Sequence, residues 1–222
     1  MRIMMGYDPR EELAYQVAEA SIKQHAGEKV VIHPIKQSAL RDIGLYTRQF
    51  DPLSSTEFSF TRFLTPFLAQ YEGWALFMDC DFLIRGDLTI LREYCDPDIA
   101  VYVVKHDYRP KETTKMDNMV QYQYPRKNWS SFMWINCAHP QVRELTPNVV
   151  NRETGMYLHR LQWLTDDVIG ELPVTFNYLE GWHTKDDCAD PLAVHFTRGG
   201  PWFQDYLDVE YGDEWQALAK TF

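Results

Sequence analysis

No stretch of about 20 consecutive apolar residues occurs in the chain, so nothing in it reads as a membrane-spanning helix. Basic residues are scarce: 22 Lys and Arg stand against 32 Asp and Glu, for a formal net charge of −10. That balance argues against broad nucleic-acid binding, which depends on cationic side chains displacing counterions from phosphates. It also argues against adhesion to anionic lipid. Cysteine is sparse, and Cys80, Cys95, Cys137 and Cys188 show no metal-finger spacing. The opening Met1-Arg2-Ile3-Met4-Met5 is too short for the apolar segment of a signal peptide. The expectation is a cytoplasmic protein with reduced thiols. Internal repeats and low-complexity segments are missing. So is an early glycine-rich phosphate loop, because Gly6-Tyr7-Asp8-Pro9-Arg10 has no such pattern.

What is present suits one α/β domain spanning 1–222, with 45% hydrophobic residues to fill a core and 14% aromatics. The aromatics fit either a bulky core or a cleft for sugars or bases. Trp74-Ala75-Leu76-Phe77-Met78 is a continuous apolar run, as in a strand buried on both faces. It ends in Asp79-Cys80-Asp81. Carboxylates at i and i+2 of an extended chain point the same way. They sit where the strand runs out, and ligands bind at that edge of open parallel sheets. One divalent cation can therefore meet both, and hard oxygen ligands suit Mg²⁺ or Mn²⁺. A solvated turn is the plain alternative.

Ile3 to Tyr7 reads as the first strand and Val30 to Ile35 as the second. Between them Asp8 is a helix cap, Pro9 the first helical residue and Glu11 the partner that completes a capping box. Leu13, Val17 and Ser21 recur at helical spacing, and Gly27 ends the helix. Asp8 is explained by capping alone or by seating a base or ribose. Residues 36–55 read as a loop. Over 56–68, apolar residues at 60, 63, 64, 67 and 68 form a helical stripe that Pro66 kinks or shortens. Arg62 interrupts that stripe, and the ordinary reading is a surface arginine with its stem laid along apolar neighbours.

Gly86-Asp87-Leu88 turns into a short helix. Ile99 to Val104 and Ser131 to Asn136 are further strands, and the polar, aperiodic 108–128 is long enough to suggest a functional loop. Residues 140–164 are helical in pieces broken near Gly155. Asp166-Asp167 opens another short helix, since acids favour a helix N-terminus. Leu192 to Phe196 is the last strand, and Asp213 to Phe222 is an amphipathic helix. Strands alternating with helices give a layered α/β fold.

Three segments, taken in order, resemble a known family. They are Phe60-Thr61-Arg62, then the strand ending in Asp79-Cys80-Asp81, then His195-Phe196-Thr197-Arg198-Gly199-Gly200-Pro201-Trp202. Together they are similar to the glycogenin-like and lipopolysaccharide galactosyltransferase-like glycosyltransferases of family 8. The resemblance runs from Ile3 to Trp202. It implies a GT-A-type nucleotide-sugar-binding fold, with a mixed, mostly parallel central sheet flanked by helices. It implies retaining hexosyl transfer from a nucleotide-sugar, usually a UDP-sugar, with Mn²⁺ (or Mg²⁺) as cofactor. Asp79, Asp81 and His195 match the metal ligands, and Arg62 matches the arginine that reaches the donor. Gly6, Tyr7 and Asp8 match the turn that receives the base. Asn128, Ser130 and Ser131 fall in the donor-sugar segment, and Asp166 and Asp167 where the family has an Asp-Gln pair beside the reacting carbon. Two departures stand out. The family's Lys before Pro-Trp is replaced by Gly200, leaving Arg198 and the backbone N–H groups of Gly199 and Gly200 to meet a diphosphate. The family's Gln is also absent at 166–167.

The expected partners are a nucleotide-sugar donor and a glycan or lipid-linked acceptor, as in polysaccharide biosynthesis, with no nucleic acid. Membrane association is not encoded by a basic tail. A cation on Asp79, Asp81 and His195 would neutralise the leaving diphosphate, and Arg62 or Arg198 would add charge-assisted hydrogen bonds. One of Asp166 and Asp167 would face the sugar ring and the other a hydroxyl. Trp202 is a candidate stacking platform for a sugar. Lys105-His106-Asp107 lies at the end of a core strand, either on the acceptor side or as a solvated turn. The competing readings are a nucleotidyltransferase and a non-catalytic sugar- or partner-binding module on the same fold.

Overall fold

The computed structural model describes residues 1–26, 29–49, 54–107 and 125–222. The first strand, β1 (Arg2–Tyr7), is buried from Ile3 to Gly6. A tight turn at Pro9–Glu11 follows, capped by the Asp8 carboxylate on the Arg10 N–H, and leads into α1 (Glu12–Ala26). The capping box is not closed. Glu11 instead turns inward, and the Cys80 thiol lies 3.7 Å from its Oε2. The buried stripe of α1 is Ala14, Tyr15, Val17, Ala18, Ser21 and Ile22. Leu13 is 40% exposed, because Ala14 and Tyr15 carry the stripe at that end of the helix.

Strand β2 (Val31–Lys36) is followed by α2 (Gln37–Asp42), where the sequence suggested only a loop. The helix buries just Leu40, so its polar composition gives no periodic signal. Residues 50–53 and 108–124, within the two expected loops, and the expected helix stop Gly27 lie outside the described residues.

Phe58 to Leu68 forms α3 (Phe58–Thr61), a tighter turn at Arg62–Leu64, and α4 (Thr65–Leu68). Pro66 explains the break, since it has no N–H to give the Arg62 carbonyl. The Thr65 hydroxyl bonds that oxygen instead, at 2.8 Å. Three residues per turn also shift the phase of the helix. Arg62, Phe63 and Leu64 all face inward, while Phe67, expected on the buried stripe, is 38% exposed.

The main sheet adds β3 (Trp74–Met78), β5 (Val101–Val103), β6 (Phe132–Asn136) and β7 (Ile169–Glu171), in the order β2-β1-β3-β6-β5-β7. Parallel pairing joins β1 to β2, β1 to β3 and β5 to β7, and β6 runs against both its neighbours. The expected mixed, mostly parallel sheet flanked by helices is therefore present. The pieces within 140–164 are α5 (Pro140–Arg143), α6 (Pro147–Arg152) and α7 (Gly155–His159), each started by a side-chain cap. Asp166–Val168 forms a single turn before β7.

A second sheet was not evident from the sequence. It consists of β4 (Phe82–Ile84), β8 (Tyr178–Leu179) and β9 (Ala193–His195), in the order β4-β9-β8. Two or three residues per strand leave too little periodicity to detect. Behind it α8 (Gly212–Ala219) packs on α1, with Trp215 buried among Tyr178, Val194 and Phe196. No helix among the described residues is long and apolar enough to cross a membrane.

Strand β7 has a packing constraint at Gly170, which is paired in register with Tyr102 of β5. A side chain there would run into the Tyr102 ring, which also lies against Trp74, 6.0 Å between centroids. Gly170→Ala should lower unfolding free energy by about 1–3 kcal/mol, as overpacked core sites do. A shift of the denaturant midpoint at constant slope would read this out.

Candidate metal centre and cleft

The site forms where the two sheets meet. The Asp79 N–H donates to the Ser131 carbonyl at 2.9 Å, extending the β3–β6 ladder one step past Met78. The chain then crosses to β4, where Phe82 pairs opposite His195 of β9. The Phe196 N–H donates to the Asp81 carbonyl at 2.9 Å. Directly opposed side chains share a face of the sheet, and the Phe82 ring stacks on the His195 imidazole with centroids 4.3 Å apart and planes at 16°. This register brings His195 to the acidic pair across more than a hundred residues of sequence. One ligand atom from each of Asp79, Asp81 and His195 lies within 4.8 Å of the other two.

The imidazole is oriented from behind. The Ser131 hydroxyl donates to the Asn128 carbonyl at 2.7 Å and so accepts from Asn177 Nδ2 at 3.0 Å. That fixes the Asn177 amide with Oδ1 toward His195 Nδ1, 2.9 Å away. The ring proton therefore sits on Nδ1, and Nε2 turns its lone pair to Asp81 Oδ2 at 3.3 Å. Two acceptor atoms at that distance need a proton or a cation between them. The donor set, two carboxylates and a backed imidazole, fits a divalent cation. Asn177 was not singled out in the sequence, because a lone Asn in an irregular stretch carries no pattern.

Arg62 is not at the surface. It is 6% exposed, and its Nη1 lies 2.8 Å from Asp79 Oδ1 and donates to the Ser130 carbonyl at 2.9 Å. Its guanidinium packs between the Phe58 and Phe77 rings, 5.4 and 5.1 Å from their centroids. Asp79, Asp81 and His195 line one cleft together with Arg10, Glu11, Arg62, Asn128, Ser130, Ser131 and His159. Glu11 is 6% exposed, and among the described residues its Oε1 has no hydrogen-bond partner. Burial, with Asp81, Asp8 and Asp79 nearby, pushes its carboxyl up to about 8.

The other expected site residues are placed as follows. Gly6 is buried, with space above it filled by the Phe58 ring, 2.5 Å from where a Cβ would stand. Tyr7 lies under the Lys36 ammonium and edge-on to Tyr15. Asp8 is fully buried and takes hydrogen bonds from the Arg10 N–H and guanidinium and from the Glu57 N–H. Burial acts to raise its pKa, but these bonds outweigh it and hold the carboxyl below its ordinary range. Asn128 adopts a left-handed backbone, φ 65°, at the cleft wall. Arg198 lies over Gly181, and its charge acts on Glu180. Gly199 and Gly200 are buried, and Trp202 packs with Phe196, Phe203 and Trp215. None of these last four lines the cleft. Asp166 and Asp167 are exposed, and Asp166 pairs with Arg126 at 2.5 Å. His106, at the end of β5, is buried beside His183, which together with burial holds it down to about 2.

Protein CDI of Arabidopsis thaliana is 54% identical to this chain over 217 residues, covering 96% of the chain and 84% of that protein. The chain belongs to the CDI family. No protein-family model matches it. Among solved structures, this CDI-family chain is similar to the glycosyltransferase GlyE of Streptococcus pneumoniae, with a TM-score of 0.65, 16% identity, and coverage of 98% of the chain and 59% of GlyE. It is similar to the bifunctional glycosyltransferase WbbM, with a TM-score of 0.67, 13% identity, and coverage of 99% and 49%. It is also similar to the galactosyltransferase LgtC, solved with donor and acceptor sugar analogues, with a TM-score of 0.61, 14% identity, and coverage of 100% and 96%. The chain thus spans about half to six-tenths of two of these proteins and nearly all of the third. At such identities the likeness establishes the fold, which is GT-A.

Two measurements follow from the geometry. Removing the amide behind His195, as in Asn177→Ala, should weaken divalent-cation affinity by roughly 10–100-fold, as loss of a partner behind a metal-binding imidazole does. Titration with Mn²⁺ monitored by calorimetry reads this directly. Glu11 has a folded pKa of about 8, above the ordinary 4.5, so between those values the folded state holds more protons than the unfolded. Metal-free stability should therefore carry a Glu11 contribution that falls as pH rises from 4.5 to 8. Subtracting the pH profile of Glu11→Gln from that of the wild type isolates it, and a flat difference would refute the assignment.

Proposed function

We propose that this chain is a metal-dependent glycosyltransferase that moves a hexose from a nucleotide-sugar, a UDP-sugar by the family 8 resemblance, to a glycan or lipid-linked acceptor with retention of configuration. The observation that carries the reading is the convergence of Asp79, Asp81 and His195 within 4.8 Å in a cleft of a GT-A fold. These three residues would hold Mn²⁺, the imidazole favouring it over Mg²⁺. When bound, the cation supplies charge neutralisation for a departing diphosphate.

The residues of the chain then have distinct tasks. Arg62 anchors Asp79 and the Ser130 carbonyl, so its fixed charge sits on the cleft wall where diphosphate charge would develop. Asp8 fixes Arg10 and the Glu57 N–H, tying the end of β1 to the segment before α3. That shapes the side of the cleft where a base would enter. Asn128 and Ser131 position the sugar-binding wall through the Asn177 relay. Asp166 and Asp167 remain our candidates for the groups beside the reacting carbon, and Asp166 would have to exchange Arg126 for substrate to serve there. Gly199, Gly200 and Trp202 lie behind the cleft wall, and the Gly199 N–H already donates to the Phe196 carbonyl at 2.9 Å, so their part would be to shape the far side of the donor site rather than to bind it directly.

A thermal-shift series tests the reading. UDP, UDP-galactose and UDP-glucose at about 100 times Kd with Mn²⁺ should stabilise the fold by about 2.7 kcal/mol. For a chain of this length that is roughly a 5–10 °C rise in Tm. Asp79→Ala or Asp81→Ala should remove the Mn²⁺-dependent part. A flat response to every nucleotide-sugar with metal present would overturn the proposal.

A further inference from the structure

A second pocket opens beside the metal cleft. Arg10 and Thr56 line both, so the two share a wall. Beyond that wall the second pocket is faced by Arg41 and Arg48. Three of the 22 Lys and Arg in a chain of net charge −10 thus gather at one concavity.

Arg41 and Arg48 are held in place. Arg41 donates from Nε to Gln37 Oε1 at 3.1 Å and from Nη1 to the Arg48 carbonyl at 2.7 Å. Its guanidinium lies over the Tyr46 ring, 4.7 Å from the centroid. Arg48 donates from Nη1 to the Val150 and Glu153 carbonyls at the end of α6, at 2.9 and 2.7 Å. Its guanidinium lies over the Phe60 ring at 3.9 Å. Among the described residues nothing takes Arg41 Nη2, or Arg48 Nε and Nη2. Guanidinium donors fixed in this way suit an oxyanion, which can accept two of them at once.

Two carboxyls also face the pocket and only partly offset this charge. Asp8 is spent on Arg10 and the Glu57 N–H. Burial and the Asp8 charge raise the Glu57 pKa, against a pull from Arg10 and Arg41.

An oxyanion here could be a phosphate or a carboxylate, and the remaining lining decides between them. Gln37, Gln49, Ser54 and Thr56 bring amides and hydroxyls, and the Tyr46 and Phe60 rings are covered by the two arginines. Such a surface suits saccharide hydroxyls. Among the described residues it offers no apolar track for the tail of a lipid-borne phosphate.

We propose that this second pocket binds the carboxylate of an acidic sugar residue in the acceptor glycan, with Arg41 and Arg48 as the residues that select it. The inference rests on the glycosyltransferase reading of the neighbouring cleft and adds the chemical class of the acceptor to it. The shared wall keeps the occupant beside the donor site. Of the turn expected to receive a base, only Asp8 reaches this pocket, and its carboxylate is already spent.

The test is calorimetric titration of the whole chain at low ionic strength, where screening is weak. The probes are methyl glucuronide, methyl galacturonide, the matching neutral glucoside and galactoside, and methyl phosphate. The better uronide should bind roughly 10–100-fold tighter than its neutral counterpart, the usual worth of hydrogen bonds to a charged group. Arg41→Gln and Arg48→Gln should each lower that ratio by about fivefold or more. Arg48 ties down α6, so should Arg48→Gln fail to fold, Arg41→Gln supplies the same reading. Saturating UDP with Mn²⁺ should leave uronide binding in place. Equal affinity for uronide and neutral glycoside, a ratio unmoved by Arg41→Gln, tighter binding of methyl phosphate than of either uronide, or displacement by UDP would each overturn the inference and leave the proposed function standing. Uronide binding through these arginines in a chain that takes no nucleotide-sugar with Mn²⁺ would overturn the proposed function and leave a carboxylate site.

Discussion

Like-charge repulsion at the meeting of the two sheets is the constraint that shapes this molecule. Glu11, Asp79 and Asp81 share one cleft, and at short range near a protein surface two unit charges interact with about 4 kcal/mol at 4 Å. The fold offsets that repulsion in two places: Arg62 is buried against Asp79, and the Glu11 carboxyl is driven toward its neutral form. A surface arginine could not have done the first of these. Burying Arg62 required the tight turn after Thr61, which exists because Pro66 cannot bond the Arg62 carbonyl. A kink in one helix thus sets the electrostatics of the neighbouring strand.

The geometry of the candidate metal ligands is inherited from packing rather than from the ligands themselves. His195 is positioned by the Phe82 stack on one side and by Asn177 on the other. Asp79 is held by the ladder to Ser131, and Asp81 by the bond from Phe196. Each ligand therefore sits where apolar burial and backbone pairing would put it in any case. Preorganisation of this kind lowers the cost of assembling a cation site. It also explains why the second, smaller sheet exists, since without β4 and β9 the late histidine would have no register against the acidic pair.

The parts of this arrangement that were legible in the sequence are those with long signals. The buried run before Asp79 and the strands over 99–104 and 131–136 are visible as apolar blocks, and they form as expected. Asp79, Asp81 and His195 could be grouped only through the ordered motifs of the family resemblance. What escaped the sequence was set by tertiary context. The strands of the small sheet have two or three residues each. Glu11 fits the capping-box spacing and still turned inward, because the space beside Cys80 was available to it. Arg62 matched the ordinary pattern of a snorkelling arginine until Asp79 gave it a buried partner. Asn177 touches His195 and Ser131, and His159 touches Ser130, and no spacing rule links such residues.

The segment after His195 shows how a motif and its packing can diverge. Gly199 has φ 134°, a left-handed backbone, and a Cβ there would stand 2.8 Å from the Tyr206 ring, so glycine is required with or without a ligand. Gly200 lies directly beneath Trp202, which is itself packed into the cluster around Trp215. Arg198 rests over Gly181 with Glu180 close by, which partly cancels its charge. On the glycosyl-transfer reading, this wall therefore offers little net positive charge in place of the lysine that the family carries before Pro-Trp. The compensation falls to the opposite wall, where Arg62 is locked by three polar contacts and two aromatic rings, and to the cation that the three residues would hold. Grip on a diphosphate in this chain then depends more on the fixed Arg62 and the metal, and less on the last strand, than the resemblance alone implies. That shift gives a physical reason for burying an arginine so completely beside the first ligand.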